Sequence, residues 1–521
     1  MTSTAPGRRA RRWRRLWRRA PRPVRWVAAV LALVLVAGAG FFAWVVAVTL
    51  RITVDTVGDV DFDRPLAIPP VATSRLVDGE RVFDLDLREG TSDFGRGRTP
   101  TWGVNGDYLG PTIRVARGDR VRMRVHNSLP ETTTLHWHGM HLPAEMDGGP
   151  HQVVEPGETW QPRWSIDQEA ATLWYHPHVH GATAAHVYRG LAGLLLVDDA
   201  VSTRAGLPAT YGVDDVPVVL QDKKLNDDGT LDEDPGTFQS AGLTGDTVVV
   251  NGTVGPYLDV TTEVVRLRLL NASNTRPYAL RLSSGEQLTM VASDGGLLAA
   301  PVQLERIQLS PGERAEVVVR MSPGERMVLR SGPSDTGDRM AGGADRLDLL
   351  ELRAADHLTP SPPLPDRLVD LPAPDAGEAD RTRTFELSGY SINGRGMDMD
   401  RIDEVVTVGD TEVWEVTNVD GGSHNFHVHD VQFRILDIDG VPPPPELAGR
   451  KDTVWLRPQE AVRIIMRFTD HTSDRWPYMF HCHTLRHEDN GMMGQFLVVE
   501  PGQEAAGEIG RERTGDGRHH H

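Results

Sequence analysis

The sequence predicts an all-β protein of three β-sandwich domains in tandem, preceded by a single transmembrane helix. Three observations carry this expectation. First, 52 glycines and 36 prolines punctuate the 521 residues. They bound short β-branched runs such as 112–115, 121–125 and 317–319, which read as strands rather than helices. Second, a pattern recurs three times: Asn105-Gly106 precedes a strand ending near Asn127, Asn251-Gly252 one ending at Asn271, and Asn393-Gly394 one ending at Asn418. The repeats start 146 and 142 residues apart (105 to 251 to 393), too long a period for a solenoid and right for whole domains. Third, residues 26–50 carry no charge.

In chain order, residues 1–25 hold ten arginines and no acid and form a basic cytoplasmic segment. At 1.5 Å per residue, a helix over 26–50 would reach roughly 37 Å, enough to cross a hydrocarbon core of about 30 Å with tilt. The arginines orient this anchor, so the domains are expected on the extracytoplasmic face. The apolar run is long for a signal sequence, which favours an uncleaved anchor, and the paired arginines raise export of a folded protein. A linker over 51–75 leads to sandwiches at 76–200, 208–354 and 380–501. A Pro- and Asp-rich linker over 355–379 and a flexible tail over 502–521 complete the plan. The net charge of −18 argues against a nucleic-acid partner. The lone cysteine excludes an intrachain disulfide, and the closing His519, His520 and His521 stand outside any site.

That cysteine, Cys482, lies between His481 and His483, with His487 and Met492 close behind. On an extended strand neighbouring side chains point to opposite faces, so one peptide serves two metal sites. Thiolate, imidazole and a weak thioether suit a blue-copper electron-transfer centre. A lone cysteine of this kind is usually a small buried hydrophobe, but three further clusters accompany it: His136 and His138; His176 and His178; His424, His427 and His429. The i, i+2 spacing puts pairs of imidazoles on one strand face. Ten histidines, one cysteine and one methionine match copper better than a closed tetrahedral zinc site. All lie in the first and third sandwiches, so a shared cluster is expected at their interface.

With these motifs in this order, residues 76 to 500 resemble the multicopper oxidases, the family of laccases, bacterial cuprous oxidases and bilirubin oxidases. HWHGMHLPAEMDGGPHQ and HCHTLRHEDNGMM look most like the copper-efflux cuprous oxidases. The resemblance implies cupredoxin-like Greek-key sandwiches and four coppers. His424, Cys482 and His487, with Met492 axial, would hold the type 1 copper that takes electrons from substrate. His136 and His427 would hold type 2 copper. His138, His176, His178, His429, His481 and His483 would hold the type 3 pair, where dioxygen is reduced to water. Asp147 and Glu488 occupy the positions of that family's proton-relay acids, although Asp147 could simply cap the following Gly-Gly-Pro turn.

The chain lacks the methionine-rich insert that covers the type 1 copper in many cuprous oxidases, so an open site for phenols and aromatic amines is expected, with Cu(I) a further substrate. Asp398 and Met399 match a stretch that contributes to a substrate-copper site in those relatives. His180 is expected to hydrogen-bond beside the cluster, His141, His151 and His186 fall at no motif position, and His126 and His471 read as surface or turn residues. A division-associated scaffold of the same fold would lack ligands, and none is missing here. A copper nitrite reductase would have two sandwiches and no His-Cys-His.

Overall fold

The computed structural model describes residues 21–49, 53–234, 236, 241–505 and 509–510. Most of the basic leader and of the tail, with its terminal histidines, lies outside these. The chain divides into residues 1–53 and a β-rich body from 54 onward. In the first unit, Arg22–Thr49 is one helix, long and apolar enough to cross a membrane. Its described apolar side chains, among them Trp26, Leu35 and Phe42, are exposed. Such an all-round apolar surface has no counterpart in a water-facing helix.

Among the described residues, the body comprises six sheets in three pairs. Strand stretches alternate buried and open positions, as in Arg120–Asn127, where every second residue is inside. Each pair encloses its own apolar core: Phe83 to Val197, Leu66 to Leu368, and Phe385 to Val498 with Ala144 added. These are three consecutive sandwiches. The stretch before the first is partly woven in: Arg64–Pro65 pairs in parallel with Pro256–Thr262 of the second sandwich.

The repeat seen in the sequence is a repeated hydrogen-bond device. Asn105, Asn251 and Asn393 all adopt left-handed backbone, at φ 56°, 50° and 53°. Each side-chain oxygen accepts from a strand N–H (Asp86, Val219, Glu386), and each amide donates two residues back to a carbonyl (Asp84, Pro217, Thr384). At the far strand end, Asn127, Asn271 and Asn418 likewise donate across to Val154, Leu309 and Leu456. Asparagine suits both places because it carries a donor and an acceptor, and the first place also because it tolerates left-handed backbone.

Strand register then positions the histidines. His136–His138 pairs antiparallel with Ala171–His176, placing His136 beside His176. His424–Val428 pairs with Tyr478–His481, placing His427 beside His481.

Candidate metal centre

The eight histidines of the first and third sandwiches converge into one buried cluster, each at most 1 % exposed. It resolves into subsets. His138 Nδ1 lies 3.4 Å from His176 Nε2 and 3.2 Å from His483 Nε2. His481 Nε2 lies 3.1 Å from His178 Nε2 and 3.3 Å from His429 Nε2. Between them, His136 stacks on His429 and His138 on His427. The Nε2 atoms of His136 and His427 are buried without a hydrogen-bond partner. Each subset draws on both the early and the late motifs.

The opposite ring nitrogens are mostly held by oxygen. His136 Nδ1 donates to the Asp147 carbonyl (3.0 Å), His427 Nδ1 to the Asp452 carbonyl (2.8 Å) and His176 Nδ1 to the Pro177 carbonyl (2.8 Å). His429 Nδ1 bonds Asp147 Oδ2 at 2.8 Å and His138 Nε2 bonds Asp452 Oδ1 at 3.0 Å. Glu488 lies 3.5 Å from His178 Nδ1 and 3.3 Å from His481 Nδ1. An oxygen on one nitrogen fixes the tautomer and leaves the other nitrogen's lone pair for a metal.

Burial favours the neutral form of six of these rings. It drives His138, His176, His427 and His429 well below the usual imidazole range, with neighbouring histidines adding to the shift. His178 and His483 fall to about 3 through burial, despite Glu488 beside them.

On the other face of the His481-Cys482-His483 segment lies a second group. Cys482 Sγ is 3.7 Å from His424 Nδ1 and 3.5 Å from His487 Nδ1, and those two nitrogens are 3.0 Å apart. The alternation expected of an extended segment is met. His487 rides on the short helix Leu485–Asp489. Met492, fully buried in the same apolar core as Cys482, accepts the Cys482 N–H through its carbonyl at 3.1 Å. Burial pushes the Cys482 thiol up, but His487 and His424 outweigh it and hold it well below the usual thiol range. An acidified thiol, two imidazole nitrogens and two orphaned nitrogens in the adjoining cluster are a donor set that fits copper.

Several contributors escaped sequence reading. Asp452, fully buried, is clamped by both arms of Arg314 at 2.6 Å, and Arg314 Nε donates to the Thr172 carbonyl at 2.9 Å. One arginine of the second sandwich thus ties the first to the third directly behind His138. Asn425 accepts the His483 N–H and donates to the Pro311 carbonyl at 2.8 Å. Asp420 accepts from His424 Nε2 at 2.8 Å. A cavity of about 470 Å³ opens over His424 and His487, walled by Asp338, Met340, Tyr390, Asp420 and Trp455. Asp398 and Met399 are not among its lining residues; their carbonyls accept from Gln495. His180 is exposed.

Comparison with known proteins agrees with this geometry. Family models described as multicopper oxidase match residues 86–202, 217–338 and 364–502. The multicopper oxidase mco of Staphylococcus epidermidis is 37% identical over 456 residues, 83% of this chain and 92% of that protein. The cell division protein FtsP of Escherichia coli is 39% identical over 444 residues, 84% and 93%. Among solved structures, a bacterial laccase-like multicopper oxidase CueO from Ochrobactrum sp. superposes with a TM-score of 0.77 at 38% identity, covering 84% of this chain and 100% of that one. A multicopper oxidase from Pediococcus acidilactici gives 0.78 at 34% identity, covering 86% and 94%. Three sandwiches of cupredoxin type around buried histidine clusters define a copper protein of the oxidoreductase class. The chain belongs to the multicopper oxidase family.

Proposed function

We propose that this protein oxidises small reducing substrates, namely phenols, aromatic amines or cuprous ion, one electron at a time and delivers the electrons to dioxygen, which is reduced to water. His424, Cys482, His487 and Met492 would hold one copper, and the eight clustered histidines three more, with His136 and His427 sharing one. Copper there supplies the one-electron oxidation of substrate and the four-electron reduction of dioxygen. The observation that carries this reading is the single peptide His481-Cys482-His483, which presents its thiol to one donor group and its imidazoles to the other.

The protein's own residues account for the remaining needs. The cavity over His424 and His487 admits a small molecule to the edge of the donor group. Asp420 orients the His424 ring. The bonds of Cys482 to its neighbours give the shortest covalent route between the two groups. Asp147 and Glu488, buried against His429 and against His178 and His481, are placed to hold and pass protons. Arg314 and Asp452 fix the His138 ring.

The test is copper content and the visible spectrum of the copper-loaded protein. Four coppers per chain with an intense thiolate-to-copper band are expected. Protein that takes up no copper and stays colourless overturns the proposal and favours a non-catalytic scaffold of the same fold acting in cell division, the process that the FtsP relatives are named for. Cys482→Ser is expected to abolish substrate oxidation while copper persists in the histidine cluster; retained turnover would reject the route through Cys482.

We further propose that Arg22–Thr49 anchors the protein in a membrane, uncleaved, with the sandwiches extracytoplasmic. Recovery of the full chain in the membrane fraction, and protease access to the body only from the outer side, is the expected outcome.

A further inference from the structure

Away from the buried clusters, four side chains meet at the seam of the first and third sandwiches. His141 follows the His136–His138 strand, and Asp430 follows His429. Asp470 and His471 lie in the connection between Ala461–Arg467 and Tyr478–His481. His141 Nδ1 bonds Asp430 Oδ1 at 2.7 Å, and its Nε2 bonds Asp470 Oδ1 at 2.6 Å. His471 Nε2 lies 3.7 Å from that same Asp470 oxygen, and the two imidazole rings are 4.6 Å apart at 41°. Asp430 is 1 % exposed, whereas His141, His471 and Asp470 open to solvent at 16 %, 25 % and 56 %.

The arrangement follows the logic of a metal site. A buried carboxylate holds one nitrogen of His141, the way outer carboxylates orient metal-binding histidines. The other nitrogen points at a carboxylate oxygen that a second histidine also approaches. Metal–nitrogen and metal–oxygen bonds of about 2.0–2.2 Å place donors roughly 3.0–3.6 Å apart, so the two spacings to the Asp470 oxygen, 2.6 and 3.7 Å, need only small shifts. Burial and the adjacent His141 lower the His471 pKa from its ordinary value, so its lone pair is available. Carboxylates outnumber the competing cations, which favours a divalent ion.

We propose that His141 Nε2, Asp470 and His471 bind one divalent ion of borderline softness, Zn(II) or Cu(II), at the surface seam of the two donor-bearing sandwiches. This site is separate from the four-copper set. With both ring nitrogens facing carboxylate oxygens, His141 is doubly protonated in the metal-free state. Binding therefore releases its Nε2 proton, one per ion. The occupied site ties the first sandwich to the third.

Equilibrium dialysis of the copper-loaded full chain in detergent against Zn(II), followed by zinc and copper analysis, tests this. Asp470→Asn and His471→Gln are expected to retain one zinc fewer per chain than the unaltered protein, at unchanged copper. Asp430→Asn is expected to weaken uptake of that zinc about 10- to 100-fold. The terminal histidines and any unfilled copper donors contribute equally to all variants, so the difference reads this seam alone. Equal zinc in the unaltered protein, Asp470→Asn and His471→Gln overturns the site. Low copper with the zinc difference preserved would instead count against the oxidase reading and leave the seam site standing.

Discussion

At the scale of single residues, the histidines and cysteine that cluster were legible and the residues that support them were not. Histidines at i, i+2 announce themselves because strand geometry turns the spacing into a shared face. Asp452 carries no such mark: it is one acid among many until the pairing of His427 with the neighbouring Thr453 brings its carbonyl to His427 Nδ1 and Arg314 closes on it. Its removal should be severe. Asp452→Asn leaves the Arg314 charge buried with half its partner, a change of about 3–5 kcal/mol in comparable buried pairs. Chemical denaturation should show that loss together with reduced copper retention. A change under about 1 kcal/mol would mean the pair is idle. Asp147→Asn is expected to slow dioxygen reduction while leaving reduction of the cysteine-bound copper by substrate intact; equal slowing of both steps rejects the proton role. His141 gives a pH dependence. Burial lowers its pKa, but Asp430 and Asp470 override this and raise it to about 9. A pKa raised on folding stabilises the protein fully below the unfolded value of about 6.5, and that contribution fades as pH climbs through about 9. The difference in melting temperature between the unaltered protein and His141→Gln, measured without divalent ions, should therefore be largest near pH 6 and vanish by about pH 10.

At the scale of elements, strands and sandwiches were readable because alternation and turn residues act locally. The hydrogen-bond frame behind the repeat was not, because an asparagine's partners are chosen by the fold. Asn425 shows the same limit: it stands inside a motif plainly visible in the sequence, yet its bond to the second sandwich appears only when the strands pair. The turn after Asp147 supplies a prediction at this scale. Gly148 has φ 79°, and a Cβ there would come within 1.9 Å of the Leu135 carbonyl oxygen. Gly148→Ala combines backbone strain with a clash against an immovable strand, which should cost at least about 2 kcal/mol. It should also displace Asp147 from His429, so the melting temperature and the dioxygen step should fall together. An unchanged melting temperature would show that the turn relaxes freely.

At the scale of the whole molecule, the apolar helix and the β-rich body are distinct units, each with its own internal contacts. A chain starting at residue 53 is expected to fold, bind copper and remain in solution with the melting temperature of the full-length protein; aggregation or copper loss would show that the leader is needed beyond anchoring. The second sandwich bears none of the candidate donors. The structure gives it a further part through Arg314, which holds Thr172 on one side and Asp452 on the other. The pooling of early and late histidines in every subset also sets a timetable for the growing polypeptide. When translation has produced the first two sandwiches, four of the ten candidate ligand histidines exist and none of the proposed copper sites is whole. The subset around His178 closes only when His481 is made, the one around His138 only with His483, and the cysteine group only with His487 and Met492. A message cut short just before codon 481 therefore yields a nearly full-sized protein that lacks both of those subsets and the thiol, so neither subset nor the cysteine group is complete until the last part of the chain is made.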